Sequence, residues 1–312
     1  MRILALICIS ILVSTLAMSA ETTLVKATPE ITYTNPAWSP SGKSIAFVGM
    51  ACESPSIYLA TLAGGAWKSK PLIQGADWPV WSPDGKRLAF NKGGLAVMDL
   101  AAGKSGVKVA GANYPLSWSP NGGYILYSNE GAAAIMDMKT GKSLPAGAES
   151  AWMADGKLLT SVSGDLLILD PATGKSRVVA KGVSAKRPFI PKGAGYAWAW
   201  ITENAPRGEG IYSVDLKTGA LAKKIAVRAQ QIYWSPDGQR FAFLADWSPK
   251  AGAEIITCLY MGATRNWEFK VAAKGVGNEA PGRRSLGEVA WSPDSKSIAY
   301  VTAEGNISII KL

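Results

Sequence analysis

A twelve-residue phrase recurs along this chain and leaves few architectures open to it. It reads AWSPSGKSIAFV from Ala37, VWSPDGKRLAFN from Val80, SWSPNGGYILYS from Ser117, AWMADGKLLTSV from Ala151, YWSPDGQRFAFL from Tyr233 and AWSPDSKSIAYV from Ala290. A degenerate copy, PFIPKGAGYAWA, begins at Pro188. The lead aromatics are Trp38, Trp81, Trp118, Trp152, Phe189, Trp234 and Trp291, spaced 43, 37, 34, 37, 45 and 57 residues apart. A phrase repeated at such a period marks one supersecondary unit stacked on copies of itself, because a single unit cannot cover its own apolar face.

The chemistry of the phrase says what the unit is. Proline presets φ for the second position of a type I turn, and glycine supplies the left-handed position that closes a hairpin. Residues on both sides alternate with aromatic and branched side chains, as in KRLAFN and QRFAFL, so each phrase reads as a β-hairpin. A third strand follows in LAVMDLAAGK, AAIMDMKTGK, LLILDPATGK and GIYSVDLKTGA, and a fourth in SRVVAKG after Lys175 and LAKKIAVRA after Ala220. Four strands per unit of about 40 residues is the repeat of an all-β propeller, with each tryptophan packed between blades.

The chain ends bear on the blade count. The last unit has its hairpin and one further strand, NISIIKL, before Leu312, so it lacks a fourth. Residues 22–27 (TTLVKA) form a short strand with no hairpin of their own, and they are expected to complete the last of seven blades, removing an exposed sheet edge. The competing count is six blades, if the degenerate copy at Pro188 is misread. Cys52 and Cys258 fall in the first and sixth units, which are not neighbours in a seven-bladed ring, so no disulfide is expected between them.

Residues 1–20, MRILALICISILVSTLAMSA, have one early cation and then an apolar run ending in small residues, the pattern of a secretory signal peptide. The expectation is therefore an exported, periplasmic protein in which residues 21–312 form a single propeller domain, with no later membrane span and a monomeric state. The formal net charge is +10, and +9 without Arg2. In an exported protein with scattered basic residues, that sign suggests an acidic protein face or anionic glycan as partner, and not nucleic acid.

The phrases WSPDGKRLAF, WSPDGQRFAF and WSPDSKSIAY, each followed by a strand such as IYSVDL or LAVMDL, resemble the TolB-type propeller repeat, also described as WD-repeat-like. The resemblance runs from about Thr32 to the end of the chain. It implies a propeller that serves protein–protein interaction at the cell envelope. TolB-type periplasmic proteins carry an N-terminal α/β domain, and none fits between residue 20 and Trp38.

The chain contains no histidine. This removes Ser-His-Asp and Cys-His catalysis and the usual nitrogen ligand of transition metals, and no Gly-x-Ser-x-Gly or phosphate-binding glycine loop is present. No catalytic residue, metal ligand or cofactor is expected. The Asp of each Ser-Pro-Asp-Gly phrase, Asp84 or Asp237, is assigned to turn formation. A carboxylate pair is the one enzymatic route left, as in glycoside hydrolysis, with Asp77 and Glu288 as topological candidates. A propeller that regulates a separately encoded hydrolase is a third reading. The favoured site lies on three enlarged connections: residues 202–210 (TENAPRGEG), 246–254 (DWSPKAGAE) and 274–288 (KGVGNEAPGRRSLGE). From these, Arg207, Trp247, Lys250, Arg283 and Arg284 are expected to form a basic patch with one exposed aromatic.

Overall fold

The structure, a computed structural model, describes residues 21–51, 54–111, 114–129, 132–147, 149–226, 231–247, 256–276 and 288–312. Its strands group into seven antiparallel four-stranded sheets, blades I to VII, so the seven-blade expectation holds and the six-blade alternative falls away. The chain opens with β1 (Glu21–Val25), which belongs to the last blade. Blade I holds β2 (Ile31–Trp38), β3 (Ser44–Ala51), β4 (Pro55–Ala63) and β5 (Ala66–Gln74). Blade II holds β6 (Asp77–Trp81), β7 (Arg87–Asn91), β8 (Gly94–Asp99) and β9 (Lys104–Ala110). Blade III holds β10 (Pro115–Trp118), β11 (Tyr124–Asn129), β12 (Ala132–Asp137) and β13 (Ser143–Ala146). Blade IV holds β14 (Ser150–Trp152), β15 (Leu158–Val162), β16 (Asp165–Leu169) and β17 (Ser176–Ala180). Blade V, the degenerate copy, keeps β18 (Ala185–Phe189), β19 (Tyr196–Ile201), β20 (Gly210–Asp215) and β21 (Leu221–Ile225). Blade VI holds β22 (Gln231–Trp234), β23 (Arg240–Trp247), β24 (Ile256–Ala263) and β25 (Phe269–Lys274). Blade VII is β26 (Val289–Trp291), β27 (Ser297–Val301) and β28 (Ile307–Lys311), completed by β1.

Ring closure is made as the sequence suggested, one residue earlier than expected. Glu21 pairs with Ile310 and Thr22 with Ile309, and the Tyr300 hydroxyl donates to Glu21 Oε1 at 2.6 Å. Ala27 N–H donates to Asn306 Oδ1 at 2.8 Å, which ties the turn after β1 to blade VII before the chain enters blade I.

Among the described residues the core is divided into seven clusters, one at each joint between blades. Ile45 and Phe47 of β3 pack toward blade VII, while Ala46 and Val48 pack toward blade II. Successive side chains of a strand point to opposite faces, so a blade covered on both faces needs apolar residues in unbroken runs. This is why the second strands read SIAFV, RLAFN and RFAFL. Cys258 is buried in β24, and Cys52 lies outside the described residues.

The tryptophans do more than fill space at these joints. The indole N–H of Trp81 donates to Ala37 O of blade I at 3.0 Å, Trp118 to Val80 O at 3.1 Å and Trp234 to Arg187 O at 3.0 Å. Trp291 donates to Tyr233 O and Trp38 to Ala290 O, both at 3.2 Å, and Trp152 reaches Ser117 Oγ at 3.0 Å. Six of the seven blades are thus bonded through their lead tryptophan to the innermost strand of the blade before. Phe189 has no such donor, and across the joint of blades IV and V the Arg187 N–H donates to Glu149 Oε2 at 2.8 Å.

The Ser-Pro-Asp-Gly turns are equally regular. Ser82 Oγ accepts from Arg87 N–H at 2.9 Å and donates to Asp84 Oδ1 at 2.5 Å, while Lys86 N–H donates to the same Asp84 oxygen at 3.0 Å. Ser119 with Asn121, Ser235 with Asp237 and Ser292 with Asp294 repeat the arrangement at 2.7, 2.6 and 2.6 Å. The serine and backbone donors hold the carboxyls of Asp84 and Asp294 below the ordinary carboxylate range. These acids are consumed by the turns, as the sequence implied.

Candidate functional site

Each first strand runs from one end of the ring, here the upper end, down to its Ser-Pro turn at the lower end. Connections between second and third strands, and from one blade to the next, therefore all emerge at the upper end. The three enlarged segments obey this rule: residues 202–209 link β19 to β20, residues 248–255 link β23 to β24, and residues 275–288 link β25 to β26. They leave the scaffold from the same end and from adjacent blades.

Only the first of these segments is described throughout, and it is braced. Tyr212, buried in β20, donates its hydroxyl to Gly208 O at 2.7 Å and accepts from Arg207 N–H at 3.2 Å. The Lys223 ammonium donates to Arg207 O at 2.6 Å and to Gly208 O at 3.1 Å, and stands 5.8 Å from the Tyr212 ring centroid. At the start of the segment, Asn204 Nδ2 donates to Gly182 O at 2.7 Å, and the Ser184 hydroxyl to Glu203 Oε2 at 2.8 Å. Arg207 is exposed on a backbone fixed from below. A loop ordered before binding loses less entropy when it binds.

The other expected contact residues are placed only in part. Trp247 is the last residue of β23, paired with Ile256, so the strand runs two residues into the segment read as an insert. Lys250, Arg283 and Arg284 lie outside the described residues.

The innermost strands carry a second polar set at the upper end. Asn35, Asp77, Glu149, Arg187, Gln231 and Glu288 come from six different blades at closely corresponding positions before the lead aromatic. Glu288 is wholly buried, its carbonyl accepting from Val301 N–H at 2.9 Å. Asp77 is half-buried; burial pushes its carboxyl above the ordinary carboxylate range, opposed by a hydrogen bond from the Asn91 side chain. The two expected carboxylates belong to blades II and VII, with blade I between them. Among the described residues no three His, Cys, Asp or Glu side chains come together as a metal site.

Sequence reasoning missed a strained feature on this ring. Asn35, Trp78 and Arg187 have φ of 51°, 53° and 48°, each sits where the register of its first strand shifts, and each directly precedes a proline. Left-handed φ costs a non-glycine residue on the order of 1–3 kcal/mol and is concentrated at functional sites. The Xaa-Pro dipeptides in NPAW, WPVW and RPF were the available signal. An open depression of about 380 Å³ is lined by Pro36, Pro79, Trp38, Trp81 and Trp291 together with turn prolines Pro40, Pro236 and Pro293. A larger groove of about 670 Å³ opens between blades I and VII, beside Trp38, Trp67 and Leu62.

No family model matches the chain, and no curated protein matches it. Its fold is shared by solved structures at low identity. An oligogalacturonate lyase in complex with manganese aligns with a TM-score of 0.68 and 16% identity, covering 95% of this chain and 94% of that one. A chain of the mitotic checkpoint complex aligns with a TM-score of 0.62 and 14% identity, covering 100% of this chain and 99% of that one. TolB from Acinetobacter baumannii aligns at a TM-score of 0.45 and 14% identity, covering 92% of this chain and 65% of that one. For the first two the likeness is one of fold alone, and one fold can host unrelated activities.

Proposed function

We propose that this protein is an exported, non-catalytic propeller scaffold of the cell envelope, related to the TolB-type repeat family. Its acidic partner, an envelope protein or anionic glycan, docks on the upper face of blades V to VII through Arg207, Trp247, Lys250, Arg283 and Arg284. The observation that carries this reading is the braced segment 202–209, which holds an exposed arginine on fixed backbone while its neighbours in the ring bear the other two enlarged connections. The net charge, +9 once Arg2 is lost with residues 1–20, favours an acidic partner and steers its approach. Export rests on the apolar run of residues 1–20, and kinship rests on the Trp-Ser-Pro-Asp-Gly phrases.

The test is a charge-reversal variant carrying Arg207→Glu, Arg283→Glu and Arg284→Glu. Co-purification of the wild-type partner from envelope fractions should be lost, with the melting temperature unchanged. Equal recovery of the same partner with the variant would sink the reading.

Asp77 favours a second reading, a carbohydrate-active enzyme, because a carboxyl with a raised pKa in a funnel is the kind of group that acts as a general acid. The shared fold with an oligogalacturonate lyase is consistent with it. Cleavage of oligogalacturonate or another glycan by the wild type, abolished in Asp77→Ala, would establish this reading in place of the scaffold.

A further inference from the structure

At the upper mouth between blades II and III, three features meet that the packing of a propeller does not require. Trp78 holds a left-handed backbone, a conformation that a bulky residue resists, and Pro79 follows it directly. Its ring stacks on Tyr114, with centroids 4.7 Å apart and planes 23° from parallel, and both side chains are half-buried at the mouth. Beside them, Asp77 Oδ1 is withdrawn from solvent with no hydrogen-bond donor, while the Asn91 side chain bonds the carboxyl.

Two partners are missing from this cluster. The ion pair found among the described residues is Lys157–Asp155, so Asp77 has no described counter-charge within ion-pair distance. Elsewhere in the described structure aromatic rings receive a cation from the chain itself: Arg87 stands 4.7 Å from the Trp118 ring centroid, and Lys186 stands 5.8 Å from that of Trp200. Among the described residues, none stands over Trp78 or Tyr114. Among the described residues, a half-buried carboxylate with one orphaned oxygen and no cation sits beside a stacked aromatic pair that also has none.

A planar guanidinium supplies both absences at once. It donates paired N–H groups to a carboxylate and lays a flat, weakly hydrated face on aromatic rings, which a compact ammonium does less well. A sugar hydroxyl would give Oδ1 a donor but leave the charge uncompensated. Carboxylate χ2 is a soft torsion, so rotation at the partly exposed Asp77 can turn the orphaned oxygen toward the mouth.

We propose that Asp77, Trp78 and Tyr114 form a binding site for the guanidinium of an arginine side chain presented by a protein partner. The site lies at the same end of the ring as Arg207 but on different blades, and it does not depend on the docking surface proposed for blades V to VII.

The experiment titrates N-acetyl-arginine amide into the full chain and follows the indole N–H resonance of Trp78 by NMR, assigned by its disappearance in Trp78→Gly. N-acetyl-lysine amide and N-acetylglucosamine serve as comparison probes. The expected result is saturable binding with Kd on the order of 1 mM, as for a single small anchor. Binding should be at least ~10-fold weaker for the lysine derivative and ~10-fold weaker in Asp77→Asn, the loss of one charge-assisted contact. Glycine accepts left-handed φ, so Trp78→Gly should abolish binding while the melting temperature holds or rises. No shift of the Trp78 resonance by the arginine probe, an undiminished response in Asp77→Asn, or a shift with the sugar instead would overturn the proposal. So would a marked fall in melting temperature of Trp78→Gly, which would make the ring a packing element.

Discussion

At the residue scale, the repeated phrase divides its labour among four positions. Tryptophan bonds to the preceding blade, serine and aspartate tie the turn, and glycine takes the left-handed bend. Trp81→Phe removes the donor to Ala37 O, about 1 kcal/mol, together with part of the ring's packing, so the melting temperature should fall by at least about 2 °C for a domain of this size. Calorimetry on the variant checks this, and no change would mean the bond is idle. Ser295 shows how a departure from the phrase is absorbed. It replaces glycine at φ 59°, yet its hydroxyl accepts from Asp237 N–H at 3.0 Å and its carbonyl from the Arg240 guanidinium at 2.9 Å, both across the joint with blade VI. Ser295→Ala keeps the strain and orphans a donor, so it should cost about 1–2 kcal/mol in denaturant unfolding. Ser295→Gly should cost less, because the backbone relaxes.

Asp77 carries a pH signature of opposite sign to the turn acids. A carboxyl whose pKa is higher in the folded state binds protons preferentially on folding, so it disfavours the fold as pH rises from the ordinary carboxylate value through its own. Asp77→Asn should therefore be more stable than the wild type at pH 7, with the difference shrinking toward pH 3. Melting curves at the two pH values measure it, and a variant that loses stability at pH 7 would show that the charged form is satisfied after all.

At the element scale, β1 completes the seventh unit, the one that lacks a fourth strand of its own, and so closes the ring. Its pairing with β28 and the Tyr300–Glu21 bond cover an edge that every other blade covers with its own fourth strand. Deleting residues 21–27 should lower the melting temperature by on the order of 10 °C and produce self-association in size-exclusion chromatography, since an open edge recruits other strands. A monomer of unchanged stability would deny β1 that role. This closure was legible in the sequence because a missing fourth strand and a strand without a hairpin are complementary counts. So were the hairpins and the joints, because Trp-Ser-Pro-Asp-Gly fixes a turn and the alternation fixes both faces of each blade. The register shifts at Asn35, Trp78 and Arg187 were not legible as strain, because proline restricts its predecessor without forcing left-handed φ. Nor was the brace under Arg207, which depends on Tyr212 and Lys223 reaching back from two different strands.

At the scale of the whole molecule, the two ends of the ring differ in how they are built. The lower end is built of Ser-Pro turns whose polar groups bond to one another, while the upper end collects the long connections, the left-handed residues Asn35, Trp78 and Arg187, and the exposed Arg207. The seven joint clusters make a continuous frame, so a partner at the proposed surface would meet a face that is already shaped. The most direct measurement is photo-cross-linking in the living cell, with a photoreactive residue at Arg207 on the upper end and, separately, at exposed Lys139 on a lower turn. One dominant envelope partner captured from Arg207, absent from Lys139 and lost when Arg283 and Arg284 become alanine, is the predicted result. Capture of the same species from both positions, or of none from Arg207, would contradict a docking surface on the upper face.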